Sequence, residues 1–196
     1  EVEEGYGYSK VLTAKVSEII ENKRIIALTT KKERENLASI LVKKATVDIN
    51  NRPSIETLLH SYLLKYTLHT HPIALNIILA KKDWKSILES IFKENELVFV
   101  NYKTPGIDLA LELKNQLNKF KTTPNILFLQ NHGLIINSDK KEDIETLTEY
   151  VLDRVENYLN VDFSRYKLTT QISKALRTKD DFNNISYLCD NIFLNN

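Results

Sequence analysis

The sequence predicts a three-layer domain of the α/β class, with an α+β arrangement as the alternative. Segments with apolar residues at helical spacing alternate irregularly with short apolar or β-branched runs that have strand character. The chain has 196 residues, a length that suits a single core, so residues 1–196 are interpreted as one domain. Six of the eight glycines and prolines fall between residues 53 and 133, and so do all four histidines. The turns and the candidate functional residues are therefore expected in the middle of the chain.

The first part of the chain is predicted to contain helices that lead into one strand. Residues 11–22 and 31–45 carry apolar side chains at helical spacing. The stretch "RPSIETLLHSYLL" starts a third helix, with Ser54 as its N-cap and Glu56 in the first turn, where a carboxylate suits the helix dipole. "KYTLHTH" predicts a strand, since it is rich in β-forming tyrosine and threonine and a proline ends it.

The middle of the chain predicts helices between strands. "IALNIILAKKDWKSILESIFK" has the spacing of one or two helices, and "ELVFVNY" is typical of a short strand. "PGIDLALELKNQLNKF" predicts a helix that a turn opens. "NILFLQNHGLII" predicts a buried strand that runs into a loop and returns.

The last part of the chain is predicted to be mainly helical. Residues 139–159 form a long helix and residues 164–177 another, while the tail from residue 180 has no definite pattern. Acidic residues suit the first turn of the long helix: Asp139, Glu142 and Asp143.

The composition excludes several classes of protein. The net charge is +1, and acids are interleaved with lysines in "KKERENLASILVKK", so no nucleic-acid partner is expected. Cys189 is the single cysteine, which excludes a disulfide framework and a cysteine-rich zinc site and favours the cytoplasm. No signal peptide opens the chain, and no window reaches the roughly 18 apolar residues of a membrane span.

His69 and His71 form an H-x-H pair in the predicted strand. Because residues i and i+2 of a strand face the same way, both imidazoles can point at one ion about 2 Å from each nitrogen. The pair alone is equally compatible with two half-buried histidines on an ordinary strand. Further ligands elsewhere in the chain are needed to distinguish the two interpretations.

His132 and Glu56 are the candidates for completing such a site. His132 follows an apolar strand and precedes a glycine, a position that often holds active-site groups. Three histidines around an open position are the pattern of catalytic rather than structural zinc. The carboxylate of Glu56 could move a proton to or from carbon beside the ion. His60 lies four residues on, on the same helix face, and is expected to be a supporting or packing residue rather than a ligand.

Four motifs in order resemble the class II aldolase/adducin superfamily, as in fuculose-phosphate and rhamnulose-phosphate aldolases. These are "RPSIETLLH", "LHTHP", "NYKTPGIDLA" and "LQNHGLI", and they span residues 52–136. The spacing from Glu56 to His69 is most similar to the aldolase half of bifunctional aldolase/dehydrogenases. The glycine-rich dinucleotide loop of a dehydrogenase half is absent from the sequence.

The resemblance implies a fold and a reaction. The fold would be α/β/α, with a mainly antiparallel or mixed central sheet flanked by helices. The protein would be a homotetramer and a lyase, performing retro-aldol cleavage of a sugar phosphate through a metal-stabilised enediolate. A related sugar-phosphate dehydratase and an inactive metal-binding interaction domain are the alternatives.

The resemblance also implies roles for individual residues. His69, His71 and His132 would hold Zn²⁺ or another divalent cation, Glu56 would be the catalytic acid/base, and Ser54 would help to bind the substrate phosphate. The family's phosphate loops, a "GN-x-S" and a later "SG" stretch, would lie upstream of residue 1. The expectation is therefore a domain without its N-terminal phosphate-loop segment.

"HTHP" is also similar to the core of the JAMM metallopeptidase motif. In that motif an aspartate is the third ligand, and Asp83 has the matching spacing here. Ala80 stands where the motif has a serine that stabilises the oxyanion, and the peptidase leaves the other three motifs unexplained. The two interpretations predict different third ligands, His132 for the aldolase and Asp83 for the peptidase.

Overall fold

A mixed sheet of four strands lies at the centre of the computed structural model, which describes residues 9–47, 53–93 and 96–163. The strand order is β1-β4-β3-β2, where β2 and β3 are parallel and the other two pairings are antiparallel. The strands are β1 (Tyr66–Thr70), β2 (Leu97–Val100), β3 (Ile126–Leu129) and β4 (Gly133–Ser138). The predicted helix over residues 164–177, the tail and Cys189 lie outside the described residues.

Helices cover both faces of this sheet. The described residues form α1 (Thr13–Ile20), α2 (Lys23–Ala27), α3 (Lys31–Ala45), α4 (Thr57–His60), α5 (Ile73–Leu79), α6 (Trp84–Ile91), α7 (Ile107–Leu117) and α8 (Lys141–Leu159). None of these helices has both the length and the apolar character that crossing a membrane requires.

The β3–β4 hairpin separates two apolar cores. Leu127 pairs with Ile135, and both are fully buried against the layer formed by α1, α2, α3, α4 and α7. Phe128 pairs with Leu134, and both are fully buried against α5, α6 and α8. Since each fully buried large apolar side chain contributes about 1.5–3 kcal/mol, the two cores hold the three layers together. The predicted three-layer α/β fold with a mixed sheet is confirmed.

The structure adjusts the predicted helix boundaries in the first and middle parts of the chain. α3 has the predicted limits, but the helix predicted over residues 11–22 ends at Ile20, and the pattern missed the short α2 that follows. The side chain of Asn22 accepts the amide of Arg24, which caps α2 and starts a new helix direction. Residues 73–93 form two helices, since the charged segment "KKD" interrupts the apolar stripe.

The segment before α4 differs from its prediction. The predicted N-cap at Ser54 was wrong, because α4 begins only at Thr57 and Glu56 occupies the position before it. The Ser54 hydroxyl accepts the Glu56 amide at 3.2 Å, and its carbonyl accepts the Thr57 amide at 3.1 Å. Ser54 therefore stabilises a turn that precedes the helix, and this turn sets the position of Glu56.

The start of α8 also differs in one residue. Glu142 and Asp143 lie in its first turn as predicted, but Asp139 precedes the helix. The Asp139 carboxylate accepts the backbone amide of Lys65 at 3.3 Å. Asp139 therefore joins the start of β1 to the end of β4 and does not interact with the first turn of α8.

Candidate metal centre

Four side chains that are far apart in the chain converge on one point. Glu56, His69, His71 and His132 each direct one ligand atom into a group whose members all lie within 4.8 Å of one another. They come from the turn before α4, from β1, from the residue after β1 and from the β3–β4 turn. The structure thus brings together the set of histidines and carboxylate that the sequence suggested.

The distances within this group are short. The Nε2 atom of His69 lies 3.0 Å from Nε2 of His71 and 3.1 Å from Nε2 of His132. Oε1 of Glu56 lies 3.0 Å from Nε2 of His132 and 3.7 Å from Nε2 of His69. Four nitrogen and oxygen atoms therefore share a space that suits an ion about 2 Å from each ligand.

The register of β1 against β4 aims His69 at Glu56. His69 lies directly opposite Ile135, and residues opposite one another in an antiparallel pair share a face of the sheet. Ile135 belongs to the core beneath α4, so His69 faces the layer that carries Glu56. A register shift of one residue would turn this imidazole to the opposite face.

A tight turn positions His132. The turn of residues 130–132 joins β3 to β4, and the His132 amide donates to the Leu129 carbonyl at 3.1 Å. Asn131 has a φ of 53°, a left-handed conformation that asparagine adopts more readily than most residues. The turn directs the His132 side chain inward, where it is only 7% exposed.

The hydrogen bonds of His69 fit a metal ligand. Nδ1 of His69 lies 3.0 Å from the Leu134 carbonyl, which can only accept, so this nitrogen carries the proton. The Nε2 atom of the neutral ring therefore has a free lone pair, and that lone pair faces the other three residues. Burial lowers the pKa of His69 to about 4, with Glu56 opposing the shift. His69 is thus neutral at neutral pH, the state that binds metals, and the donor set suits a divalent cation.

An open cavity of about 290 Å³ adjoins the group. It is lined by Ser54, Glu56, Thr57, His60 and His69. Ser54, the predicted substrate-binding residue, therefore lies on the same cavity as two members of the group. The Glu56 side chain is 24% exposed, which leaves its carboxylate accessible from this cavity.

His60 contributes no ligand atom to the group. Its ring lies edge-on to that of His69, with the ring centroids 6.5 Å apart. The residue is exposed, so it does not pack in a core, and the expected supporting role beside His69 stays a prediction.

The peptidase alternative lacks its third ligand among the described residues. Asp83 is outside the group of converging ligand atoms and occupies the position before the first residue of α6. His132 contacts His69 instead. The geometry favours the ligand that the aldolase interpretation predicts.

Sequence reasoning missed two contributors to this region. One is the Leu134 carbonyl that orients His69, which depends on the β1–β4 register and has no sequence signal of its own. The other is Thr57, which lines the cavity with Ser54. Ser54 lies in the turn before α4, so helical spacing gave no signal for Thr57.

Replacement of Gly133 by alanine is expected to destabilise the fold by about 2–3 kcal/mol, through overpacking. A β-carbon at Gly133 would collide with the Thr70 carbonyl and would lie 2.7 Å from Cδ2 of His71. The backbone of β1 must then shift, and His71 with it, so metal affinity should fall as well. Chemical denaturation and metal titration measure the two effects.

The neighbouring variant Asn131→Gly provides the control for that substitution. Glycine adopts the left-handed conformation of Asn131 without a steric cost, so stability should change by less than about 0.5 kcal/mol. Wild-type unfolding together with wild-type metal binding in Gly133→Ala would show that the two strands have room to separate here.

The sequence profile of the Class II Aldolase and Adducin N-terminal domain matches residues 12–159. This match covers most of the chain, and the chain belongs to the class II aldolase/adducin N-terminal domain family. All four residues of the candidate metal group lie within the matched region.

The proteins that resemble this chain include the following two. YuxG of Bacillus subtilis (strain 168), named an uncharacterized oxidoreductase, is 30% identical over 118 residues, which are 60% of this chain and 17% of YuxG. The aligned region is thus a small part of YuxG. The structure of the N-terminal class II aldolase domain of a conserved protein from Thermoplasma acidophilum matches with a TM-score of 0.64 at 23% identity, covering 78% of this chain and 67% of that one. This likeness confirms the class II aldolase-like fold.

Proposed function

We propose that this protein is a divalent-metal-dependent lyase that cleaves a carbon–carbon bond of a sugar or sugar phosphate by a retro-aldol reaction. The observation that carries the proposal is the convergence of Glu56 with His69, His71 and His132 at one end of the sheet. Membership of the class II aldolase/adducin family supports it.

His69, His71 and His132 would hold the metal through their Nε2 atoms. A divalent cation bound there would act as a Lewis acid toward a substrate carbonyl. Three imidazoles with an accessible carboxylate suit catalytic zinc, and we propose Zn²⁺ as the ion. Metal analysis of protein purified without chelator tests this assignment, with manganese and iron as the competing results.

Glu56 would act as the acid/base that transfers a proton to or from the substrate carbon beside the carbonyl. In the cleavage direction the hydroxyl that becomes the aldehyde carbonyl loses its proton as the carbon–carbon bond breaks, and Glu56 would then deliver a proton to the carbon beside the substrate carbonyl. In the synthetic direction it would remove that proton. Its exposure to the cavity lets a substrate carbon reach the carboxylate, and its 3.0 Å contact with His132 holds it beside the ligand nitrogens.

Ser54 would supply a hydrogen bond to the substrate. Its hydroxyl oxygen accepts the Glu56 amide, and among the described residues no acceptor takes the hydroxyl proton, which can donate into the cavity. By family resemblance the acceptor is a phosphate oxygen. The same resemblance supports a homotetramer, and light scattering on the purified protein tests the assembly. A cytoplasmic location is proposed from the single cysteine of the sequence.

The decisive experiment is proton exchange in the absence of an aldehyde. Zinc-loaded protein incubated with dihydroxyacetone phosphate in D₂O should incorporate deuterium at the hydroxymethyl carbon beside the carbonyl, as followed by ¹H NMR. Removal of the metal with a chelator should stop the incorporation, and re-addition should restore it. A zinc-loaded protein without exchange would contradict the lyase and favour a metal-binding interaction domain.

A further inference from the structure

We propose that His60 contacts the substrate and binds one of its neutral hydroxyl groups. This inference rests on the proposed function, since it takes the cavity beside the metal centre as the substrate pocket. It assigns a role to the fourth histidine of the chain, which is not a member of the metal group.

The short helix α4 places His60 on the same cavity as Glu56. The helix makes a single turn, and His60 lies four residues after Glu56, the spacing that puts two side chains on one side of a helix. Both residues line the cavity together with His69. A molecule that reaches the Glu56 carboxylate through this cavity therefore passes the imidazole of His60.

Both nitrogens of the His60 ring are available to a ligand as far as the described part of the chain is concerned. No hydrogen bond joins either of its nitrogens to another of the residues that the structure describes, and the side chain is exposed. By contrast, Nδ1 of His69 is held by the Leu134 carbonyl at 3.0 Å. The nitrogens of His60 instead offer a donor and an acceptor to whatever fills the cavity.

The lining of the cavity indicates which group would bind there. Its five residues provide two hydroxyls, two imidazoles and one carboxylate, and none of them is a lysine or an arginine. A phosphate dianion against His60 would lie near the Glu56 carboxylate, and the lining residues include no lysine or arginine that would pair with it there. A hydroxyl group is neutral and can both donate to and accept from an imidazole. The carbon chain of a polyol therefore suits this side of the cavity better than a phosphate.

Two small probes that differ by one hydroxyl test this proposal. Dihydroxyacetone and hydroxyacetone both have a carbonyl with an adjacent hydroxymethyl group, but hydroxyacetone has a methyl group in place of the second hydroxymethyl group. Their affinities for the zinc-loaded protein are measured by NMR titration. His60→Phe removes both nitrogens, His60→Gln keeps a donor and an acceptor, and Ile55→Ala changes an exposed neighbour that does not line the cavity.

We expect His60→Phe to lose affinity for dihydroxyacetone but not for hydroxyacetone. His60→Phe should weaken dihydroxyacetone binding by about tenfold, the effect of one hydrogen bond, and should leave hydroxyacetone binding nearly unchanged. His60→Gln should recover most of the loss, and Ile55→Ala should match the wild type. The zinc content should be equal in all four proteins, because His60 contributes no ligand atom.

Several results would overturn the proposal. Equal losses for both probes, no loss for either, no binding of dihydroxyacetone to the wild type, or loss of zinc from His60→Phe would each do so. The proposed lyase is tested separately, because deuterium exchange into dihydroxyacetone phosphate does not enter these binding measurements. A protein that discriminates between the probes through His60 but shows no exchange would retain the binding role and lose only the catalytic one.

Discussion

Replacement of His132 by alanine is expected to weaken divalent-metal binding at least about 100-fold. Residues that merely orient a metal ligand already contribute roughly 10- to 100-fold to affinity, and His132 would be a ligand itself. Its Nε2 atom lies 3.1 Å from that of His69 and 3.0 Å from Oε1 of Glu56. The substitution therefore removes the ligand atom that contacts both of these residues. Competitive titration of zinc against a fluorescent chelator measures the change.

Asp83→Ala is the matched control for His132→Ala. Asp83 has the sequence spacing of a third ligand for the H-x-H pair, but it lies outside the group of converging ligand atoms. We expect this variant to bind zinc like the wild type. Full retention of zinc by His132→Ala, together with its loss from Asp83→Ala, would reverse the assignment of the third ligand and restore the peptidase interpretation.

Replacement of Glu56 by glutamine is expected to lower the rate of deuterium exchange by about 1000-fold, a typical contribution of a positioned acid or base. Glutamine has nearly the same shape but cannot take up a proton from carbon. The three imidazoles remain in this variant, so zinc should still bind. Exchange is followed by ¹H NMR, and bound zinc is quantified in the same sample.

Glu89→Gln controls for the removal of one carboxylate. Glu89 is an exposed residue of α6 and does not line the cavity, so exchange should proceed at the wild-type rate. Unchanged exchange in Glu56→Gln would exclude Glu56 as the proton carrier. Loss of zinc along with activity would instead identify Glu56 as a fourth ligand of the ion.

Local patterns predicted much of the secondary structure. α3 has the predicted limits because its apolar stripe and the capping hydroxyl of Thr30 agree. The apolar run and turn of the β3–β4 hairpin were equally clear, since both strands are buried on both faces. The Ser54 cap failed for a physical reason, because a hydroxyl that accepts a nearby amide serves a turn as well as a helix start.

The candidate site was predictable in its residue types but not in its geometry. The H-x-H spacing of His69 and His71 requires only the alternation of side chains along a strand. The contact of Glu56 with His132 joins residues 76 positions apart, and no local pattern specifies it. The exposed position of His60, without a hydrogen-bonding partner among the described residues, was likewise visible only in the fold.

The sequence by itself determined the fold class, the four motifs and the candidates for metal ligands, because these depend on side-chain periodicity and on the chemistry of single residues. Only the tertiary structure decided which candidates meet. The β1–β4 register turns His69 toward α4, and the Leu134 carbonyl holds the proton of its ring on the far nitrogen. Such contacts come from hydrogen bonds between strands that are distant in the chain, so they depend on how the whole sheet assembles.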